Sequence, residues 1–303
     1  MRNYHRAADP VVSIGMPVFN GSNSITRAIE SLLNQTYTNF ELIISDNCST
    51  DNTWDILLKL SNKDDRIKLF HQSKNIGAYQ NFNFVLKKAK GDFFMWAAAD
   101  DLWDHSFIEK IMDEFQISDN NIQAIMSETQ YSYQGKFLDF FSEGSIFYNY
   151  HSTSTRDRIK FLLKNNYGNL WYSIFRRDAL FFNNQSILDL MTSESTNEIF
   201  LFIFIAYRGN WRILHQILFF KEVKDLHIYE QAAWEKTGGT LRNPRKHVST
   251  HYLNFKYHLV VINQIHQTLK YVDLPPWEKI EILVYAVLRI MFHLISLTIG
   301  WKL

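Results

Sequence analysis

With 303 residues, 46% of them apolar, the chain can bury a large core as one big domain or two smaller ones. A formal net charge of +1 leaves no basic footprint of the kind nucleic-acid binding produces, so no nucleic-acid partner is expected. Cys48 is the only cysteine, which excludes an intramolecular disulfide and fits a reducing, cytoplasmic compartment.

Residues 1–6 are polar with no apolar run behind them, so no secretory signal is expected. Val11 to Val18 reads as a strand. Ile25, Ala28, Ile29, Leu32 and Leu33 then share one helical face. Glu41 to Ser45 is a second strand, and Trp54, Leu57, Leu58 and Leu60 mark a helix with Ser49 or Asp51 as its N-cap. Ile67 to His71 is a third strand. Asn75-Ile76-Gly77 is a turn, and Tyr79, Phe82, Val85, Leu86 and Ala89 form a helix closed by a C′ glycine at Gly91. Asp92 to Ala98 is apolar almost throughout, as a strand covered on both faces must be. It runs into Asp100-Asp101, and Phe107, Ile108, Ile111, Met112 and Phe115 make the next helix. This alternation predicts an α/β fold with a mostly parallel, doubly wound sheet.

The pattern loosens after about residue 120. Ser127 to Phe147 reads as antiparallel strands or a long loop, and Arg156 to Leu163 as a helix. Leu170 to Phe175 is a strand after a turn at 166–169. Glu198 to Tyr207 is an apolar helix stopped at Gly209, and Trp211 to Phe220 is the last strand. Residues 225–250 read as a mobile polar loop, and 250–303 as two helices separated by Pro275-Pro276.

Ile280 to Gly300 has the ~20-residue length of a membrane span. Glu281, Tyr285, Arg289 and His293 nevertheless recur every fourth residue as one polar stripe. An arginine at mid-membrane costs roughly 2.5–3.5 kcal/mol. The stripe therefore favours a helix lying in an interface, apolar face inserted and polar stripe wet, over one that spans. The other arrangement packs the helix on the domain, with Arg289 paired to a surface acid.

Two carboxylate positions point to chemistry. Asp46, after Leu42-Ile43-Ile44, stands where an α/β sheet binds a nucleotide, outside the carboxyl ends of its strands. It either meets a base or ribose or caps the turn. Asp100 and Asp101 repel each other and lose hydration. A divalent cation relieves both costs, and Mg²⁺ or Mn²⁺ suits such oxygen ligands. The alternative is that one aspartate caps the following helix and the other is solvated.

Taken together, Pro17-Val18-Phe19-Asn20-Gly21, Ser31 to Tyr37, Phe40 to Ile44, Asp46 to Thr53, Asn75-Ile76-Gly77, Asn81, Ala89-Lys90-Gly91-Asp92 and Ala99-Asp100-Asp101-Leu102-Trp103 resemble the large family-2 glycosyltransferases of GT-A fold. The resemblance is dense over 11–115 and thinner to about 225. It implies a catalytic domain over 1–225, with a nucleotide-binding half (11–115) and an acceptor half (116–225), and a loop and helical C-terminal extension over 226–303. It implies that Pro17, Phe19 and Asn20 line the nucleotide pocket, that Asp46 contacts the base, and that Asn75 approaches the nucleotide. Asp101 is implied as a direct ligand of Mn²⁺ or Mg²⁺, with Asp100 nearer the ribose or sugar. Ala99 stands where many relatives carry a third acid. Glu198 is the implied catalytic base, with Glu194 as its competitor. His227 is a candidate metal or phosphate ligand, and Trp234 a candidate sugar platform. Arg176 or Arg177 either faces the diphosphate or is solvated at the surface.

The activity this implies is inverting, metal-dependent transfer from a nucleotide-diphosphate sugar, a UDP-sugar, to a hydroxyl of a glycan or lipid-linked acceptor in surface polysaccharide synthesis. Residues 277–303 would give peripheral contact at the inner face of a membrane. The rival is a catalytically silent glycosyltransferase-like binding subunit. A nucleotidyltransferase lacks support because no Gly-rich triphosphate loop follows the first strand. A dinucleotide dehydrogenase is disfavoured by the absence of Gly-x-Gly-x-x-Gly there.

Overall fold

The computed structural model describes residues 11–133, 136–141, 151–165, 168–190, 199–223 and 255–299. The strands are β1 (Val12–Val18), β2 (Phe40–Asp46), β3 (Ile67–His71), β4 (Phe93–Trp96), β5 (Leu102–Trp103), β6 (Ile122–Tyr133), β7 (Lys136–Phe141), β8 (Ile174–Arg176), β9 (Phe181–Phe182), β10 (Gln185–Ser186) and β11 (Asn210–Glu222). The helices are α1 (Ile25–Leu33), α2 (Thr53–Ser61), α3 (Ala78–Lys88), α4 (Phe107–Ile117), α5 (Thr155–Asn165), α6 (Ile199–Arg208), α7 (Phe255–Leu269) and α8 (Pro276–Ile299).

Nine strands form one sheet in the order β3-β2-β1-β4-β8-β6-β11-β5, with β7 on β6. The long ladders β1–β2, β2–β3, β1–β4 and β6–β11 are parallel, and the short ones made by β5, β7 and β8 are antiparallel. The two faces carry two separate cores. Along β2, Leu42 and Ile44 join the core beneath α1, α2 and α4, while Ile43 joins the core beneath α3, α5 and α6. Burial on both faces is why these strands read as continuous apolar runs rather than as alternations.

Several boundaries differ from the sequence reading for identifiable reasons. Leu170 to Tyr172 lie in a 3-10 turn, and only Ile174–Arg176 pairs as a strand, because β4 and β6 offer it short stretches on either side. The antiparallel alternative for Ser127 onward is the hairpin β6–β7, with residues 142–147 outside the described set. Gly91 does not close α3, whose C-cap is Ala89. A Cβ at Gly91 would stand 2.8 Å from both Ser13 N and Val11 O, so this glycine permits close approach to β1.

At the start of α8, Glu281 and Tyr285 of the polar stripe pack against α5 rather than facing solvent. Glu281 accepts hydrogen bonds from Arg156 Nη1 at 3.2 Å and from Lys160 Nζ, and Lys160 Nζ also lies 5.6 Å from the Tyr285 ring centroid. Hydrogen bonding from Lys160, then the charges of Lys160 and Arg156, hold the Glu281 carboxyl below its ordinary range. Ile282 and Ala286 are buried, whereas Trp277, Ile280, Val284, Leu288 and Met291 are exposed. Among the described residues no helix is long and apolar enough to cross a membrane. The Arg289 side chain lies outside the described set.

Candidate functional site

Parallel pairing brings the carboxyl ends of the strands to one edge. Val18 pairs with Asp46, and Asp46 with His71. The loops beyond these ends are joined side chain to backbone. Asn20, at φ 53°, accepts on Oδ1 from Thr50 N at 2.8 Å and from Thr50 Oγ1 at 3.3 Å, and its own N–H donates to Ser49 Oγ at 2.9 Å. Gly21 N donates to Thr53 Oγ1 at 2.8 Å and Ser22 N to Asp51 Oδ2 at 3.1 Å. Asn20, expected to line the pocket, thus also holds the β1–α1 loop against the β2–α2 loop. Phe19 beside it presents a ring 47% exposed, and Pro17 is half-buried.

Asp51 anchors this junction. Burial pushes its carboxyl up, but hydrogen bonds from Thr53 and Ser22 outweigh that effect and lower it to about 2.

The Asp46 side chain is fully buried. Its Oδ1 accepts from Ser49 Oγ and its Oδ2 from Ser49 N at 3.3 Å. His71 Nδ1 lies 3.0 Å from Oδ2, with the Trp54 ring 4.4 Å from the imidazole. Two donors of Ser49 thus converge on Asp46, with His71 within ion-pair range, and order the turn containing Cys48, at φ 61°.

Asn47, for which the sequence reading assigned no role, links the strand end to the next loop. Its Nδ2 donates to Asn75 Oδ1 at 3.0 Å, and its Oδ1 accepts from Ile76 N at 2.9 Å. Asn75 Oδ1 also accepts from Gly77 N at 2.8 Å, and Gly77 has φ 84°, where an L side chain would be strained. An Asx pattern within Asn75-Ile76-Gly77 was visible in sequence, but its pairing with residue 47 depends on tertiary structure.

The other wall is the segment after β4. Ala97 N donates to Gly15 O at 2.9 Å, and a Cβ on Gly21 would lie 3.6 Å from the Ala99 Cβ. Ala99-Asp100-Asp101 therefore adjoins the β1–α1 loop. Asp101 is buried and its Oδ1 accepts from Glu222 N at 3.0 Å, so the end of β11 closes on the aspartate pair. Glu222 Oε2 accepts from Ser132 Oγ at 2.6 Å, and Lys221 Nζ sits 4.7 Å from the Tyr172 ring centroid. Asp104 orders the start of α4 by accepting from Ser106 N at 2.9 Å, so Asp100 and Asp101 are not needed as its cap.

No group of three or more His, Cys, Asp and Glu side chains stands ready to hold a metal among the described residues. Asp100 and Asp101 offer a pair of hard oxygen donors. That donor set fits Mg²⁺ or Mn²⁺, which takes remaining ligands from phosphate and water.

Arg176 and Arg177 are neither phosphate-facing nor simply solvated. Arg176 Nε donates to Ile122 O at 2.9 Å with its guanidinium over Phe93 and Phe115, and Arg177 Nη1 donates to Ala89 O at 2.7 Å. β8 runs antiparallel to β4, which places both beside the start of β4, away from Asp100 and Asp101. Glu194, Glu198, His227 and Trp234 lie outside the described residues. Just after Glu198, α6 begins. Buried Arg158 donates to Ala206 O at 2.7 Å and Tyr207 O at 3.4 Å, placing a positive charge at the negative end of α6.

The profile described as "Glycosyl transferase family 2" matches residues 13–181. The chain belongs to this family. It is 37% identical over 134 residues to the UDP-Glc:alpha-D-GlcNAc-diphosphoundecaprenol beta-1,3-glucosyltransferase WfgD of Escherichia coli, covering 43% of this chain and 51% of WfgD. It is 35% identical over 104 residues to the putative teichuronic acid biosynthesis glycosyltransferase TuaG of Bacillus subtilis, covering 34% of this chain and 41% of TuaG. The chain thus spans about half or less of the length of these curated relatives. TarS 1-349 of S. aureus, solved in complex with UDP-GlcNAc, superposes with a TM-score of 0.57 at 17% identity, over 95% of this chain and 92% of that one. That likeness shows the fold, a GT-A α/β architecture.

Proposed function

We propose that this family-2 chain transfers a sugar from a nucleotide-diphosphate sugar, a UDP-sugar, to a hydroxyl of a glycan or lipid-linked acceptor. One observation carries the reading. Parallel pairing brings the ends of β1, β2 and β4 to one edge, where side-chain hydrogen bonds of Asn20 and Asn47 join the loops after β1, β2 and β3, and Asp100-Asp101 follows β4. A cleft at that edge is where an open α/β sheet receives a nucleotide.

Pro17, Phe19, Asn20 and Asn75 bound the nucleoside end. Contact between Asp46 and the base requires the buried carboxylate to become accessible at the edge. Asp46 is assigned to the base, with Asn47, buried and bonded to Asn75 and Ile76, holding the neighbouring loop in place. Asp101, with Asp100, would hold Mn²⁺ or Mg²⁺. Such an ion neutralises charge developing on a leaving diphosphate. Glu198, or Glu194 in its place, takes the proton from the acceptor hydroxyl as that oxygen attacks the anomeric carbon. Attack from the face opposite the leaving group gives inversion. His227 is assigned to the metal or phosphate end. Residues 1–225 form the catalytic domain and 226–303 its extension.

The lipid-linked acceptor draws support from the diphosphoundecaprenol in the name of WfgD, and a role in surface polysaccharide synthesis from the teichuronic acid biosynthesis of TuaG. A place at the inner face of a membrane is part of the same proposal. Ala99 keeps one rival alive, a silent binding subunit, because only two acids remain in the motif. A screen of nucleotide sugars that reads UDP or GDP release separates them. Release with one UDP-sugar, lost in Glu198→Gln, is the expected result. Binding without release from any donor favours the silent subunit.

A further inference from the structure

The outer face of α8 carries Trp277, Ile280, Val284, Leu288 and Met291, each between 47% and 63% exposed. Spacings of three and four residues put them in one row, about 21 Å long at 1.5 Å per residue. The row contains no charged or hydrogen-bonding side chain apart from the Trp277 ring N–H. The helix cannot turn this face inward without breaking the contacts of Glu281 with Arg156 and Lys160. Its inward residues, Ile282 and Ala286, already lie in the core shared with α5, α6 and α7.

We propose that this row docks on a lipid surface, with α8 lying flat and the acceptor half of the fold turned toward the membrane. Five side chains, each about half exposed, present on the order of 500 Å² of apolar surface. A stable interface between two copies needs about 800 Å² from each partner. A surface with no polar partners to satisfy suits acyl chains, and a tryptophan at one end of the row suits the headgroup boundary. Arg156 and Lys160 are engaged by Glu281 and none of the five row side chains is charged, so the attachment the row offers is apolar rather than ionic. The inference deepens the proposed function and rests on that reading only for its sense, delivery of a lipid-linked acceptor.

Flotation of the full chain with phosphatidylethanolamine–phosphatidylglycerol vesicles tests it. The wild-type protein is expected to rise with the vesicles, and to do so at about 0.5 M salt, where ionic attachment is screened. The double substitution Ile280→Glu/Leu288→Glu should lower the bound fraction at least ~10-fold, about 1.4 kcal/mol. Ile117→Glu, at a residue 78% exposed on α4, should not. Circular dichroism checks the fold, and Trp277→Ala, a milder change, should give a smaller loss in the same direction. Wild-type protein that stays at the bottom, equal flotation of the double variant, or release by salt overturns the proposal. So does a dimer by sedimentation equilibrium that the double variant dissolves without any vesicle binding. UDP calorimetry on the same samples keeps the two claims apart. UDP binding without flotation sinks the lipid inference alone, while flotation without UDP binding supports it and sinks the donor reading.

Discussion

Asn47 Nδ2 donates to Asn75 Oδ1 at 3.0 Å, while Asn47 Oδ1 accepts from the Ile76 N–H at 2.9 Å. One side-chain amide thereby sets the distance between the end of β2 and the loop that opens α3. Asp46, one residue earlier, points its carboxylate into the turn at Ser49 and toward His71.

Asn47→Ala should cost roughly 1–3 kcal/mol of stability, because it leaves Asn75 and the Ile76 N–H without their buried partner. Asp46→Ala strips the acceptor from Ser49 and should lower both the thermal midpoint and UDP affinity, the latter at least ~10-fold. Calorimetry and thermal melts on both variants check the pair. An Asp46 variant that keeps wild-type UDP affinity would remove the base contact from Asp46.

Asp51 gives the fold a pH-dependent component. Its carboxyl is lowered in the folded state to about 2, by Thr53 and Ser22 against the upward push of burial. A depressed carboxyl contributes stability above the unfolded value near ~3.9, and that contribution fades as pH falls toward 2. The difference in melting temperature between wild type and Asp51→Ala should be full at about pH 6 and begin to close below about pH 4. A gap constant from pH 6 to 3 would remove Asp51 from that role.

Much of this fold was legible because strands buried on both faces announce themselves. β1 and β2 and the helices α1, α3 and α4 stand close to where the apolar runs and helical faces predicted them. The 174–176 strand was overread because its apolar residues partly serve a 3-10 turn packed under Trp96, which stacks on Trp171 at 4.5 Å. At the site, Asp46 and Asp100-Asp101 stood out because strand-end carboxylates are conspicuous. Asn47, His71 and Glu222 did not, since their importance lies in partners 28, 25 and 121 positions away in the chain. The setting of Glu281 on α8 is hidden in sequence for a related reason: a polar residue on such a stripe looks solvent-facing until Arg156 and Lys160 of α5 are seen opposite it.

Gly15 should prove intolerant. A Cβ there would stand 2.7 Å from Phe94 Cζ and 2.8 Å from Val85 Cγ2. Gly15→Ala should cost roughly 1–3 kcal/mol in chemical denaturation, by forcing Phe94 off its packing. UDP affinity of the folded fraction should be unchanged. Wild-type stability would mean that α3 and β4 yield more readily than their packing indicates.

The most direct measurement is a calorimetric titration of the full chain with UDP, with and without Mn²⁺, repeated on Asp101→Ala. If the ends of β1, β2 and β4 form a nucleotide-diphosphate cleft with Asp101 at its metal end, UDP binds more tightly with Mn²⁺. The substitution should then remove at least ~10-fold of that affinity, about 1.4 kcal/mol. No UDP binding in either condition, or binding with the same Mn²⁺ gain in Asp101→Ala, would contradict the account.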